Sequence, residues 1–304
     1  MQRGTKSGAA WISVLSNTIL IVVKVAAGLL TGSIAILTEA IHSAVDLVAS
    51  FVALFSVRKA DEPADEDHPY GHEKAENVAA GAEAMLILVG AAIVGVEAIR
   101  RLGHDNELTD VGVGIAVIGA SALVNIVVSA YLSRRARQHD SAALEGDAAH
   151  LRADAWTSVA VLIGLALVEI TGEAAFDSIA ALIVAAAIVA SGVRLLRRST
   201  SVLMDQVLPD SEMDRIEEAI AASRPPEMAG YHKLRGRRAG ARRHVDLHVQ
   251  FRSGTSLERA HECAHDLRDA IEQALENADV LIHVEPEASV RPPGAGDAPH
   301  LRHG

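Results

Sequence analysis

The sequence predicts an α-helical membrane domain with six transmembrane helices, followed by a cytoplasmic α+β domain in the order αββαβ. Three observations carry this. Hydrophobic residues make up 50% of the 304 and gather into six blocks, near residues 9–31, 33–57, 77–99, 111–132, 146–171 and 175–196. Each block exceeds the roughly 20 residues that a helix needs to cross a hydrocarbon core of about 30 Å. From Pro209 onward the texture turns to mixed charged and apolar residues with strand-like alternation. The expected division is 1–208 for the membrane domain, 209–286 for the cytoplasmic domain and 287–304 for a Pro/Gly-rich, disordered tail.

The first block, Trp11 to Thr31, reads as a span and not as a cleavable signal, being too long and without a clear small-residue cleavage site. A short turn around Gly32 leads to the second block. RKADEPADEDHPYGHEKAEN, acidic and bearing Pro and Gly, joins the second to the third, SRRARQHDSAALEGD joins the fourth to the fifth, and Thr171–Glu173 turns the fifth into the sixth. Basic residues set the orientation. With the N-terminus inside, cytoplasmic segments hold Arg3, Lys6, Arg58, Lys59, Arg134, Arg135, Arg137, Arg194, Arg197 and Arg198, whereas the far side holds Arg100 and Arg101. Both ends are therefore expected in the cytoplasm, and the chain in the lipid bilayer of the plasma (inner) membrane.

Beyond Pro209, DSEMDRIEEAIAAS reads as a helix capped by Asp210 or Ser211. YHKLRGR and RRHVDLHVQF read as two strands turning around Arg238–Ala241. SLERAHECAHDLRDAIEQALE carries a helical stripe of Leu257, Ala260, Ala264, Leu267, Ile271 and Leu275, and DVLIHVEP closes as a third strand. That order makes a small open-faced sandwich. Cys263 is the single cysteine, which excludes an intrachain disulfide and agrees with a reducing cytosol. A net charge of −11 with no basic patch in the soluble part argues against nucleic acid as a partner and points toward cations.

The chemistry lies in TEAIHSAVDLVAS, residues 38 to 50, where Glu39, His42 and Asp46 share one face of an otherwise apolar helix. EAIHSAVDLVASFVAL from Glu39 is echoed by DAAHLRADAWTSVAVL from Asp147, both reading acid-Ala-x-His-x-x-x-Asp-x-x-x-Ser. The copies fall in helices 2 and 5, which run in opposite directions, as in the inverted repeats of transporters. His-x-x-x-Asp alone says little, since chance supplies about one such pair in a chain of this composition. A third, His265/Asp269, reads as a solvated surface pair. The pairs His42/Asp46 and His150/Asp154 differ because a charge at mid-membrane costs about 2.5–3.5 kcal/mol even on the lenient scale. They could be structural hydrogen bonds between two helices. The alternative is a metal site in which two imidazoles and two carboxylates close a tetrahedral shell at about 2.0–2.2 Å, suited to Zn²⁺. The same donor atoms take up protons when no metal is present, so metal and H⁺ compete and an alternating site exchanges one for the other.

GSIAILTEAIHSAVD, DEDHPYGHEKAEN, SAALEGDAAHLRAD and LIHVEP together resemble the cation diffusion facilitator family of metal/proton antiporters, in its order and spacing from Gly8 to Pro286. The resemblance implies that His42, Asp46, His150 and Asp154 form the transport site, for zinc in most members and for Cd²⁺, Co²⁺, Fe²⁺ or Ni²⁺ in some. It implies a peripheral site at Asp65, His68 and His72 in the helix 2–3 loop, where incidental histidines of an acidic loop are the plain alternative. It implies a regulatory metal cluster at His232, His248, His261, His283 and Glu285, with Glu285 where relatives often carry Asp. It also implies a Y-shaped homodimer joined through a cytoplasmic domain of metallochaperone-like fold.

Two other functions are open to the same residues. A membrane metal sensor would bind without flux. HECAH, residues 261 to 265, satisfies the His-Glu-x-x-His motif of zinc proteases, although some 80 residues leave little room for a third ligand and a substrate cleft. Asn17, Lys24, Glu39, Glu83, Asn125 and Asp177 are further polar residues in the apolar blocks, readable as packing contacts, snorkelling groups or parts of a proton path.

Overall fold

The computed structural model describes residues 3–31, 34–101, 112–171 and 175–287, with many side chains inside the helices, His42, Glu39 and Asp177 among them, outside the described set. All but the first residue of the expected tail at 287–304, the turn around Gly32 and most of the Thr171–Glu173 turn also lie outside it. The chain divides into two compact units, residues 1–201 and 202–304.

The first unit holds six long helices, α1 (Arg3–Thr31), α2 (Ile34–Ala60), α3 (Ala75–Arg101), α4 (Gly112–His139), α5 (Ala142–Thr171) and α6 (Ala175–Leu203). Three segments meet the length and apolarity of a membrane span among the described residues: Lys6–Ala27, Ala75–Arg100 and Ser178–Leu203. α2 and α5 carry Asp46, Asp147 and Asp154 inside their apolar runs, and such charges depress hydropathy. α6 runs to Leu203, past the expected end near residue 196, because Arg197, Arg198 and the following Ser/Thr residues continue the helix without a breaker.

Small residues let the helices approach closely. Ala9, Ala10, Ala53, Leu54, Ala79, Leu132, Ala143, Leu144, Ala148 and Leu151 belong to one buried cluster joining α1, α2, α3, α4 and α5. Ala80, Ala84, Ile87, Ala91, Ala149, Ile188 and Leu195 form a second, joining α3, α5 and α6. α3 and α5 belong to both clusters. Gly146 is required there, since a Cβ would overlap the Glu83 carboxylate of α3 and come within 3.1 Å of the Ala80 Cα. Buried polar groups tie the ends of these helices. Lys6 Nζ donates to Glu76 at 3.1 Å, Ser141 donates to the same carboxylate, and Ser199 donates to the Asn77 carbonyl.

The second unit contains α7 (Asp210–Ala222), β1 (Met228–Ala239), β2 (Arg242–Phe251), α8 (Leu257–Ala274) and β3 (Ala278–Pro286). The sheet order is β1-β2-β3, with β1 and β2 antiparallel and β2 and β3 parallel. A parallel pair needs a crossover, which α8 supplies. Val245, Leu247, Val249 and Phe251 alternate along β2 into a core shared with Met213, Ile216 and Ile220 of α7 and Cys263, Leu267 and Ile271 of α8. α7 starts one residue earlier than its expected Asp210 or Ser211 cap would allow. Pro209 is the N-cap and, carrying no polar side-chain atom, makes no side-chain cap bond, while proline's fixed φ suits the helix start. At α8, Ser256 accepts from the Arg259 backbone N–H, as a serine cap should. Buried Glu212 on α7 accepts from Arg238 and Arg243 of the hairpin, which hold its carboxyl below the usual range against the opposing effect of burial.

Candidate metal sites

α2 and α5 bring a cluster of metal-compatible donors together inside the first unit. Asp46 Oδ1 lies 3.2 Å from His150 Nε2, and Asp154 Oδ2 lies 3.8 Å from the same nitrogen. One donor atom from each of the three falls within 4.8 Å of the others. Asp46 and His150 are buried and Asp154 nearly so. Helix periodicity explains the geometry: residues four apart share a face, so His150 and Asp154 project together toward α2. His42 stands one turn before Asp46 on that helix, its side chain outside the described residues. Two carboxylates in so dry a place balance one divalent charge.

Next to this cluster runs a polar network that sequence reasoning left out. Ser50 on α2 donates to Asp147 Oδ1 at 3.2 Å, shares a 3.0 Å hydrogen bond with Ser13, and accepts from Asn17 at 2.8 Å. Asp147 is completely buried. The signal was present in the echo, which puts an acid three residues before each histidine, on the same helix face.

In the loop between α2 and α3, Asp65, His68 and His72 come together. The His68 backbone N–H donates to Asp65 Oδ1 at 2.7 Å, and the two imidazoles sit 3.3 Å and 3.2 Å from the carboxylate oxygens. That backbone hydrogen bond is the chief cause holding the Asp65 carboxyl below its ordinary value. Gly71, at φ +90°, makes the turn that returns His72 toward its neighbours. The loop is not uniformly at the surface: Asp65 and His68 are exposed, but His72 is 6% exposed.

In the second unit, His232 pairs with His248 across β1 and β2, and His248 with His283 across β2 and β3. The three imidazoles form a row, with ring centroids 5.1 Å and 4.6 Å apart. Glu285, two residues after His283 and so on the same face, lies 3.0 Å from His232, 2.5 Å from His248 and 3.6 Å from His283. Burial works against ionisation of Glu285, but the hydrogen bonds from His232 and His248 hold its carboxyl below the usual range. The β1 register slips between His232 and Arg235, with Lys233 at φ 54°. Such a bulge re-aims a side chain, and here it lies immediately after His232.

The structure does not bring His261 into this row. It stands on α8 beside His265, ring centroids 4.3 Å apart, and neither belongs to the three donor groups found among the described residues. Asp269 pairs with Arg268 at 2.8 Å.

Comparisons with known proteins identify the family. The family model described as "cation efflux transmembrane domain" matches residues 10–204, and that described as "cation efflux protein, cytoplasmic domain" matches 208–287. The cation-efflux pump FieF of Serratia proteamaculans is 34% identical over 292 residues, covering 96% of each chain. FieF of Yersinia enterocolitica is 33% identical over 288 residues, covering 95% of each. An uncharacterized transporter of Synechocystis is 34% identical, covering 86% of this chain and 84% of its own. A solved structure of CzrB is 35% identical, covering 26% of this chain and 98% of its own with a TM-score of 0.26, and a second CzrB structure is a Zn form.

Proposed function

This chain belongs to the cation diffusion facilitator family, as an integral membrane transporter for cation efflux, and we propose that it exports divalent transition metal, zinc foremost, in exchange for protons. The observation that carries the proposal is the convergence of Asp46, His150 and Asp154 from two helices. With His42 four residues before Asp46, the donor set becomes two imidazoles and two carboxylates. That set suits tetrahedral Zn²⁺, although Cd²⁺, Co²⁺, Fe²⁺ and Ni²⁺ share enough ligand preference to follow. All six long helices are read as spans, with both termini cytoplasmic in the inner membrane.

Metal reaches the site from the cytoplasm, binds between α2 and α5, and leaves on the far side as protons take the vacated donors. Rocking of the helices about the site would alternate its exposure. The cytoplasmic domain joins two copies of the chain, and its His232, His248, His283 and Glu285 row reads cytosolic metal. His261 is part of this reading as a ligand completed by assembly, and Asp65, His68 and His72 form a peripheral loop site.

A metal sensor without flux is the competing function, favoured by the donor row in the cytoplasmic domain. Vesicles containing the full chain, a pH gradient and an internal zinc reporter separate the two. The transporter gives zinc flux that follows the gradient and is abolished in D154A. Zinc binding without flux in the parent protein would establish the sensor.

A further inference from the structure

Glu83 is the one acid in the apolar run of α3 between Asn77 and Val96, and it is 1% exposed. Neither of its carboxylate oxygens has a hydrogen-bond partner among the described residues, and one oxygen of Asp147 is in the same condition. The two acids sit on packed helices. The Glu83 carboxylate lies against the backbone of Gly146, the residue before Asp147, where a side chain would displace it. Asp147 is the ionisable group that faces Glu83. Asp147 in turn faces the Ser13 and Ser50 hydroxyls, Asp46 and His150.

Two ionised carboxylates on packed helices are costly in so dry a place. Glu83 would lack any donor among the described residues, Asp147 would be served at one oxygen only, and each would repel the other. Glutamate at this depth is also costly in a membrane helix unless it is neutral, paired or functional. A proton on Glu83 removes most of the cost.

The pair is placed to respond to metal. Asp147 precedes His150 by one turn on α5, so a divalent ion among Asp46, His150 and Asp154 would bring two positive charges within a few ångströms of it. That favours the ionised forms and expels the proton. We infer that Glu83, with Asp147, is a further proton-carrying carboxyl of the transport cycle, outside the metal's own ligands and loaded when the transport site is empty. The inference rests on the proton-exchange reading above.

The test titrates Zn²⁺ into the detergent-solubilised full-length chain, in weakly buffered solution with a pH indicator. Zinc bound per chain is measured in parallel. In E83Q and in D147N, the protons released per zinc bound should fall by about one, with the zinc count unchanged. If the parent releases protons and both variants release the same number, the inference is overturned while metal/proton exchange stands. If the parent releases none, the exchange reading itself falls and takes the inference with it. Infrared difference spectra add an independent readout. Zinc should remove a protonated carboxyl C=O band from the parent, and E83Q should lack that band. An amide is the neutral isostere of a protonated carboxyl, so an E83Q chain that failed to fold would also count against a protonated Glu83.

Discussion

Asp46 Oδ1 on α2 stands 3.2 Å from His150 Nε2 on α5, across 104 residues of sequence. One helix therefore cannot assemble the site without the other. Replacing Asp46 with Asn keeps the shape but removes a negative donor from a site that must neutralise a divalent charge. D46N is expected to lower zinc affinity by more than the 10–100-fold typical of lost outer-shell partners, with the helical signal intact. Calorimetric titration of parent and D46N settles this, and an unchanged Kd would remove Asp46 from the ligand set.

In the cytoplasmic domain the sign of the pH dependence follows from Glu285. Its carboxyl is held below the ordinary value of 4.5. The group therefore contributes stability that is fully present above about that value and is lost as pH falls through the lowered one. E285Q should flatten the acid limb of thermal unfolding in the metal-free protein, between roughly pH 5 and pH 3, and should weaken zinc binding at neutral pH. Identical acid limbs for parent and E285Q would show that the imidazole contacts do not hold the carboxylate.

Gly146 and Gly119 make a matched pair for packing. A methyl at Gly146 meets the Glu83 carboxylate and the α3 backbone, while at Gly119 nothing lies within 4 Å. G146A should cost about 1–3 kcal/mol through overpacking and lower the melting temperature in detergent. G119A should instead gain a few tenths up to about 1 kcal/mol, from helix propensity alone. Equal shifts in the two variants would mean that α3 and α5 are not in close contact at Gly146.

Much of this was legible beforehand, for identifiable reasons. Charged residues inside apolar runs are too costly to be incidental, so Asp46, His150 and Asp154 stood out before any coordinates. Alternation and a stripe of Leu, Ala and Ile were enough for the strands and α8. The placement of Glu83 against Gly146 was not legible, because it depends on how α3 packs on α5, a tertiary fact with no local signature. The same holds for the burial of Asp147 and of His72. The bulge after His232 and the Pro209 cap escaped because both are backbone choices compatible with several side chains.

The donors of the cytoplasmic row come from every strand of the sheet, and Glu285 at one margin reaches His232 at the other, 53 residues away. An ion seated there would staple the three strands into one unit that could no longer fray from its C-terminal edge. Filling the site would then register as stiffness, with amide hydrogens of β1 and β3 exchanging in step where the empty sheet lets each margin open alone.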